Sequence, residues 1–159
     1  MRTSLVVPDA SVILKWVLPV DDELDMDRAV EVREAIVYNE VRAIVPPLWI
    51  YEVGNTVSRR FPSHAAVWLK ALVNFGLEEA THSLKWIDKA VTLANDHGVT
   101  FYDAAYHAVA IVYGGVFVTA DAQYVERAKG AGPVRSARQR RVEQRIEAGA
   151  VRRPDVEPP

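Results

Sequence analysis

Leu5-Val6-Val7-Pro8-Asp9-Ala10-Ser11 is the stretch of sequence that decides the fold, because an apolar run ends on an acid and a helix follows it. A short, continuously apolar run is typical of a buried parallel strand, and Pro8 is tolerated if the strand is already ending there. Ser11 begins a predicted helix over residues 11–16. The segment therefore predicts a strand followed by a helix, with Asp9 at the carboxyl end of the strand.

The rest of the chain continues this alternation of strand-like and helical patterns. Further strands are predicted over residues 42–45, 77–80 and 116–119. A second helix carries Ala29, Val32, Ile36 and Val37 on its apolar face. Later helices are predicted over residues 48–60, 63–75 (capped by Ser63), 83–97, 100–113 (capped by Thr100) and 121–129. The pattern predicts an α/β fold.

The composition limits the classes of protein that fit this chain. It has 159 residues, half of them hydrophobic, which suits one domain with a core of its own. Residues 1–134 hold 17 acidic against 12 basic residues, whereas residues 135–159 hold seven arginines against four acids. The absence of cysteine excludes disulfides, thiolate nucleophiles and cysteine-based zinc sites. Without a membrane-length apolar run or a signal-like start, the chain is expected to be cytoplasmic.

Four acids, each where a predicted element begins or ends, are the candidates for chemistry: Asp9, Glu52, Asp103 and Asp121. Taken singly, Asp9, Asp103 and Asp121 could cap helices, whereas Glu52 interrupts an apolar stretch and is harder to explain as a surface acid. Together they lie at termini that gather on one edge of an α/β sheet. Their mutual repulsion would require protonation or a multivalent cation. A cation held by oxygen ligands is the first hypothesis, and it indicates phosphate chemistry.

Other functions fit the sequence less well. An aspartyl-phosphate hydrolase would need a second acid where Ser11 stands, and a phosphoacceptor domain would need a lysine soon after Thr119. The acidic run at residues 21–27 resembles a calcium loop, but Arg28 occupies the turn position that needs glycine. For His107, packing or a hydrogen bond is favoured over a zinc site, which would need more ligands.

Four short segments, in this order, resemble the PIN domain, and in particular the small VapC-type ribonucleases of prokaryotic toxin–antitoxin pairs. They are Val7-Pro8-Asp9-Ala10-Ser11, Glu52-Val53-Gly54-Asn55, Tyr102-Asp103-Ala104-Ala105-Tyr106 and Val118-Thr119-Ala120-Asp121. The resemblance runs from residue 5 to about 130. It implies a three-layer α/β/α fold with a short, mostly parallel central sheet, in a nuclease domain over residues 1–133.

The resemblance also implies an activity and partners. The expected activity is endonucleolytic cleavage of single-stranded RNA, dependent on one or two Mg²⁺ or Mn²⁺ ions. The expected partners are a cognate inhibitory antitoxin and a second copy of the chain in a homodimer. The alternative is a catalytically inactive PIN-like module that binds RNA or protein. The RNA sequence cut, the number of ions and the identity of the antitoxin stay open.

The resemblance assigns roles to individual residues. Metal ligands, direct or through water, would be Asp9, Glu52, Asp103 and Asp121. Supporting groups behind them would be Ser11, Thr119 and Asn55. We expect Asp9 and Asp103 to lie closest to the metal, with Asp121 acting through water.

Binding of RNA needs positive charge at the rim of such an acidic pocket. The candidates are Lys15, Arg59, Arg60, Arg138 and Arg141. The aromatic residues Trp16, Trp49, Tyr102 and Tyr106 could stack on bases, although core packing is favoured for them. Residues 134–159 lie beyond the resemblance as a basic C-terminal extension, predicted as a helix and then a disordered tail. It could contact RNA, a second copy or an antitoxin.

Overall fold

The computed structural model describes residues 4–19 and 25–137, which build a five-stranded sheet with helices packed against it. The strands are β1 (Ser4–Pro8), β2 (Val41–Val45), β3 (Glu78–Glu79), β4 (Val116–Thr119) and β5 (Val134–Ser136). Their order across the sheet is β3-β2-β1-β4-β5, and every neighbouring pair is parallel. The sheet is short, as predicted, and parallel throughout the described residues.

Helices connect the strands and cover the sheet. They are α1 (Ala10–Leu14), α2 (Met26–Val37), α3 (Trp49–Arg60), α4 (Ala65–Phe75), α5 (Leu84–His97), α6 (Phe101–Tyr113) and α7 (Ala122–Arg127). From β1 to β3 the chain moves one way across the sheet, and from β3 to β5 it moves back. Right-handed crossovers therefore place α1–α4 on one face and α5–α7 on the other. The predicted three-layer α/β/α fold is confirmed.

The centre of the sheet holds the core. Val7 of β1 is fully buried, and Phe117 of β4 is 1% exposed. Helix α6 presents buried alanines at positions 104, 105 and 108, whose small side chains let the helix pack closely on β1 and β4. Pro8 is the last residue of β1, so its missing N–H group falls where the strand ends. This packing fixes the strand ends that carry the acids.

Two local predictions were wrong. Ser63 does not cap α4, because His64 occupies the cap position without a side-chain cap bond, and the Ser63 hydroxyl instead lies 3.1 Å from His64 Nδ1. Val37 was assigned to the packed face of α2, but it is 56% exposed at the last residue of that helix, whereas Ala29 is fully buried. The Thr100 cap of α6 is present, with its hydroxyl oxygen accepting the Asp103 N–H.

Strand β5, at one edge of the sheet, was not predicted. Strand β5 pairs with β4, Phe117 opposite Val134, so the sheet takes in the first residues of the stretch assigned to the basic extension. The division at residue 133 stays a prediction, because the predicted helix and tail, with Arg138 and Arg141, lie outside the described residues. Over residues 4–19 and 25–137 no helix is both long and apolar enough to cross a membrane.

Candidate active site

The strand order creates one crevice suited to a site. After β1 the chain turns towards β2, and after β4 it turns towards β5, so the connections from these two adjacent strands diverge. In open parallel sheets, ligands bind at the carboxyl ends of such a strand pair. Asp9 directly follows β1, and Asp121 lies two residues beyond β4. Glu52 lies in the first turn of α3, which follows β2, and Asp103 lies in the first turn of α6, which follows α5.

Asp9 is a buried carboxylate, only 8% exposed. Its Oδ1 accepts the Ser11 hydroxyl at 2.5 Å and the Val12 N–H at 3.1 Å. Burial raises the pKa of Asp9 to about 6; hydrogen bonds from Ser11, Thr119 and Val12 oppose that rise, and the charge of Asp103 adds to it. A cation beside Asp9 would favour its ionised form.

The hydroxyls of Ser11 and Thr119 hold the two strand ends together, at the positions predicted for supporting groups. Ser11 Oγ donates to Asp9 and accepts the Ala120 N–H at 3.0 Å, which links the loop after β1 to the loop after β4. Thr119 Oγ1 accepts the Asp121 N–H at 2.9 Å and also hydrogen-bonds Asp9. The orientation of Asp9 is therefore fixed from both strands.

Glu52 is half-buried and receives a hydrogen bond of 2.5 Å from the hydroxyl of Tyr106 on α6. Burial raises the pKa of Glu52, the Tyr106 bond lowers it, and the charges of Asp103 and Asp9 raise it further. Burial and the nearby Glu52 carboxylate raise the pKa of Tyr106, so its phenol stays a donor. Asn55, predicted to support Glu52, is exposed, and its role stays a prediction.

Asp103 and Asp121 also cap helices. Asp103 Oδ2 accepts the Thr100 hydroxyl at 2.6 Å, which completes a reciprocal cap at the start of α6. Asp121 Oδ1 accepts two N–H groups of α7, from Gln123 at 2.9 Å and Tyr124 at 3.1 Å. The capping interpretation is thus correct for Asp121, and Asp103 takes part in the cap of α6 through the Thr100 hydroxyl.

The four predicted acids do not contribute equally. The charge of Asp103 raises the pKa of both Asp9 and Glu52, and the charge of Asp9 raises that of Glu52. Asp121 is exposed and borders this trio. Within residues 4–19 and 25–137, no three His, Cys, Asp or Glu side chains stand close enough together to hold an ion. An ion such as Mg²⁺ keeps several waters and binds through one or two carboxylates plus substrate phosphate, so it does not require three side chains in mutual contact.

Two open cavities adjoin the acids, and Asp121 lines both. One, of about 410 Å³, is lined by Ser11, Lys15, Arg60 and Phe61 among others. The other, of about 270 Å³, lies beside Asp103. Two of the basic residues predicted for RNA binding therefore border the site.

The aromatic residues predicted to stack on bases differ in their exposure. Trp16, Trp49 and Tyr106 are between 1% and 8% exposed, so base contact is excluded for them. The indole N–H groups of the two tryptophans donate to the Ala29 carbonyl and to Glu79. Tyr102 is 61% exposed, next to Asp103, and stays available for a base.

Sequence reasoning missed Tyr124. Its hydroxyl lies 2.9 Å from Nδ1 of the fully buried His107, whose pKa burial lowers to about 4. Burial raises the pKa of Tyr124, as do the charges of Asp103 and Asp9, so this phenol also lies near the acids. Its position three residues after Asp121, in the first turn of the same helix, could have indicated that it lies near the acids. The packed, hydrogen-bonded interpretation of His107 is correct.

The comparison with known families agrees with this geometry. The sequence profile of the PIN domain matches residues 6–130, and the chain belongs to the PIN domain family. Among curated proteins, it is 34% identical over 128 residues to "Ribonuclease VapC3" of Pyrobaculum aerophilum, covering 76% of this chain and 92% of that protein.

A solved structure has the same fold. The chain matches "Crystal Structure of PAE2754 from Pyrobaculum aerophilum" with a TM-score of 0.62, over 92% of this chain and 97% of that one. The sequences are 23% identical, so this likeness supports the fold alone.

Proposed function

We propose that this protein is a metal-dependent endoribonuclease that cleaves single-stranded RNA, and that it is the toxin of a toxin–antitoxin pair. The observation that carries the proposal is that the charge of Asp103 raises the pKa of both Asp9 and Glu52, and that Asp9 lies where the connections from β1 and β4 diverge in this PIN domain. Burial and mutual repulsion raise the pKa of Asp9 to about 6 and that of Glu52 in the same direction. The 34% identity to a protein named a VapC ribonuclease supports the same reaction.

The chain's own residues have defined tasks in this proposal. Ser11, Thr119 and the Val12 N–H hold Asp9 in one orientation, and Tyr106 does the same for Glu52. Because these donors favour ionised carboxylates, they keep the pocket anionic despite its burial. Asp121 would act from the solvent side of the pocket.

The ion would be held by Asp9 and Asp103, with Glu52 and Asp121 reached directly or through water. Carboxylate oxygens without a sulfur ligand suit Mg²⁺ or Mn²⁺ rather than a softer metal. When bound, such an ion lowers the pKa of a coordinated water and stabilises charge on phosphate oxygens.

The substrate and partners follow from the same surface. A strand with unpaired bases can enter a crevice rimmed by Lys15 and Arg60 and stack on the exposed Tyr102. We place the activity in the cytoplasm, with an antitoxin that blocks the crevice. For the homodimer, Tyr51 and Val67 on α3 and α4 are 76% and 69% exposed and offer apolar contact area.

Cleavage of labelled single-stranded RNA tests the proposal. Purified protein, free of antitoxin, is incubated with the RNA and Mg²⁺ or Mn²⁺, beside Asp9→Asn, Asp103→Asn and the matched control Asp96→Asn, an exposed acid of α5. We expect the wild type and Asp96→Asn to cut alike, and the other two variants to match reactions with EDTA.

Equal cutting by Asp9→Asn, Asp103→Asn and the wild type would refute the assigned site. Metal-dependent RNA binding without any cutting would instead favour the inactive binding module.

A further inference from the structure

The cavity beside Asp103 has features that the carboxylates alone do not explain. Its lining includes Thr100, Gln123 and Arg127 as well as Asp103 and Asp121. Gln123 and Arg127 lie four residues apart on α7, so their side chains share one face of that helix. Both are exposed. Two polar side chains thus line a cavity distinct from that of Lys15 and Arg60.

The guanidinium of Arg127 is held only weakly by its neighbours. Its Nη1 donates to the Gly98 carbonyl at a long 3.4 Å, and it forms no ion pair with any residue in the described part of the chain. By contrast, Arg28 and Arg42 pair with Glu31 and Glu78 at 3.0 and 2.7 Å. A guanidinium has five donors in a planar fork, a geometry that matches phosphate oxygens. Arg127 is exposed and lines the cavity.

The negative charge of the acids suggests a role for Arg127 in binding a polyanion. A polyanion that approaches Asp9, Glu52 and Asp103 is repelled by them, so cationic groups must flank the acids on the path of the strand. Lys15 and Arg60 supply them in one of the two cavities that Asp121 lines, and Arg127 supplies one in the other.

We propose that the cavity formed by Gln123 and Arg127 is a nucleotide subsite, in which Arg127 binds a backbone phosphate next to the scissile position. The RNA strand then runs from this cavity past Asp121 into the cavity of Lys15 and Arg60. This inference rests on the proposed ribonuclease function, and it adds a residue that binds substrate without touching the metal.

Binding measurements test the subsite apart from cleavage. Fluorescein-labelled single-stranded RNA of randomised sequence is titrated with the full chain in Ca²⁺, at several salt concentrations, with RNA integrity checked on gels. The proteins are the wild type, Arg127→Gln, Arg127→Lys and the matched control Arg42→Gln, which lies in β2 far from the crevice. Thermal melting of each protein reports on folding.

One phosphate contact to a single strand contributes a salt slope of about 0.7, which amounts to roughly fivefold in affinity at 0.1 M salt relative to 1 M. We therefore expect Arg127→Gln to bind about fivefold more weakly at 0.1 M salt, with a slope smaller by about 0.7. In Mg²⁺ its KM should rise by about the same factor with kcat unchanged, because the contact persists in ground and transition states. Arg127→Lys should keep most of the slope.

The outcomes separate the two proposals. If the wild type cuts RNA and Asp103→Asn does not, but Arg127→Gln matches Arg42→Gln in affinity, slope and KM, the subsite is overturned and the nuclease stands. If the wild type neither binds nor cuts, both fail. If Arg127→Gln melts early, the folded Arg127→Lys decides the question: loss of its slope refutes a phosphate contact made by charge.

Discussion

Replacing Asp9 by Asn should stabilise the metal-free protein, although it removes a candidate catalytic group. The carboxylate has an ordinary pKa of 3.8 and a folded-state pKa of about 6, because burial disfavours its charge. Since one pKa unit is worth 1.36 kcal/mol, the ionised Asp9 costs the folded state about 3 kcal/mol at neutral pH. A raised carboxyl pKa means that this cost is absent below pH 3.8 and complete above about pH 6.

The amide of Asn keeps an oxygen that can accept from Ser11 and Val12, but it loses one acceptor, which offsets part of the gain. We expect Asp9→Asn to be more stable by about 1–3 kcal/mol at pH 8, which corresponds to roughly 2–12 °C in Tm at about 2–4 °C per kcal/mol for a chain of this size. The difference should become small near pH 4, since both folded proteins are then neutral at this position, and it should vanish below pH 3.8. Contributions from other carboxyl groups cancel between the two proteins.

Thermal melts in EDTA at pH 4 and pH 8 measure this difference, with Asp121→Asn as the matched control. Asp121 is exposed and Asn is an equally good helix cap, so the control should change by less than about 0.5 kcal/mol at either pH. An Asp9→Asn protein with the wild-type Tm at pH 8, or with a gain that persists at pH 4, would refute the account of a desolvated carboxylate.

Two further substitutions probe the surroundings of the site. Tyr106→Phe removes the hydroxyl that donates to Glu52. Because hydrogen bonds to charged groups are worth about 1.5–3 kcal/mol, we expect urea denaturation to show a loss of stability of that order. An unchanged midpoint would mean that Glu52 is held by other groups. Gly132→Ala places a Cβ 2.8 Å from Ile111 Cγ1 at a φ of +154°, and we expect it to cost about 1–3 kcal/mol of stability. Gly130→Ala has open space around its Cβ at a φ of +84°, so it should cost less. The reverse order in the same assay would contradict this packing.

The sequence was sufficient for the fold because its strong signals are local. Val7 and Phe117 lie in short apolar runs, and Gly98 and Gly114 end helices in the left-handed conformation, as residues without a Cβ readily do. Strand β5 escaped prediction because three residues, with Arg135 among them, carry too little periodicity. Its place is set by pairing with β4.

The sequence predicts that Asp9, Glu52, Asp103 and Asp121 lie at one edge of the sheet, and their role as a site stays a prediction. Their surroundings could not be predicted. The donor to Glu52 is 54 residues away in sequence, on another helix, and no local pattern indicates such a contact. For the same reason Arg127 was overlooked: only the packed helices show that it borders the cavity beside Asp103.

The hydrogen bond between Ser11 and Ala120 joins two segments that lie 109 positions apart, and this has a consequence for synthesis. The residues that follow β1 are synthesised long before those that follow β4. Strand β1 cannot pair with β4 until nearly the whole domain has emerged from the ribosome. Contacts of such long range also form late in folding. The nascent chain therefore carries no assembled pocket until β4 has left the ribosome.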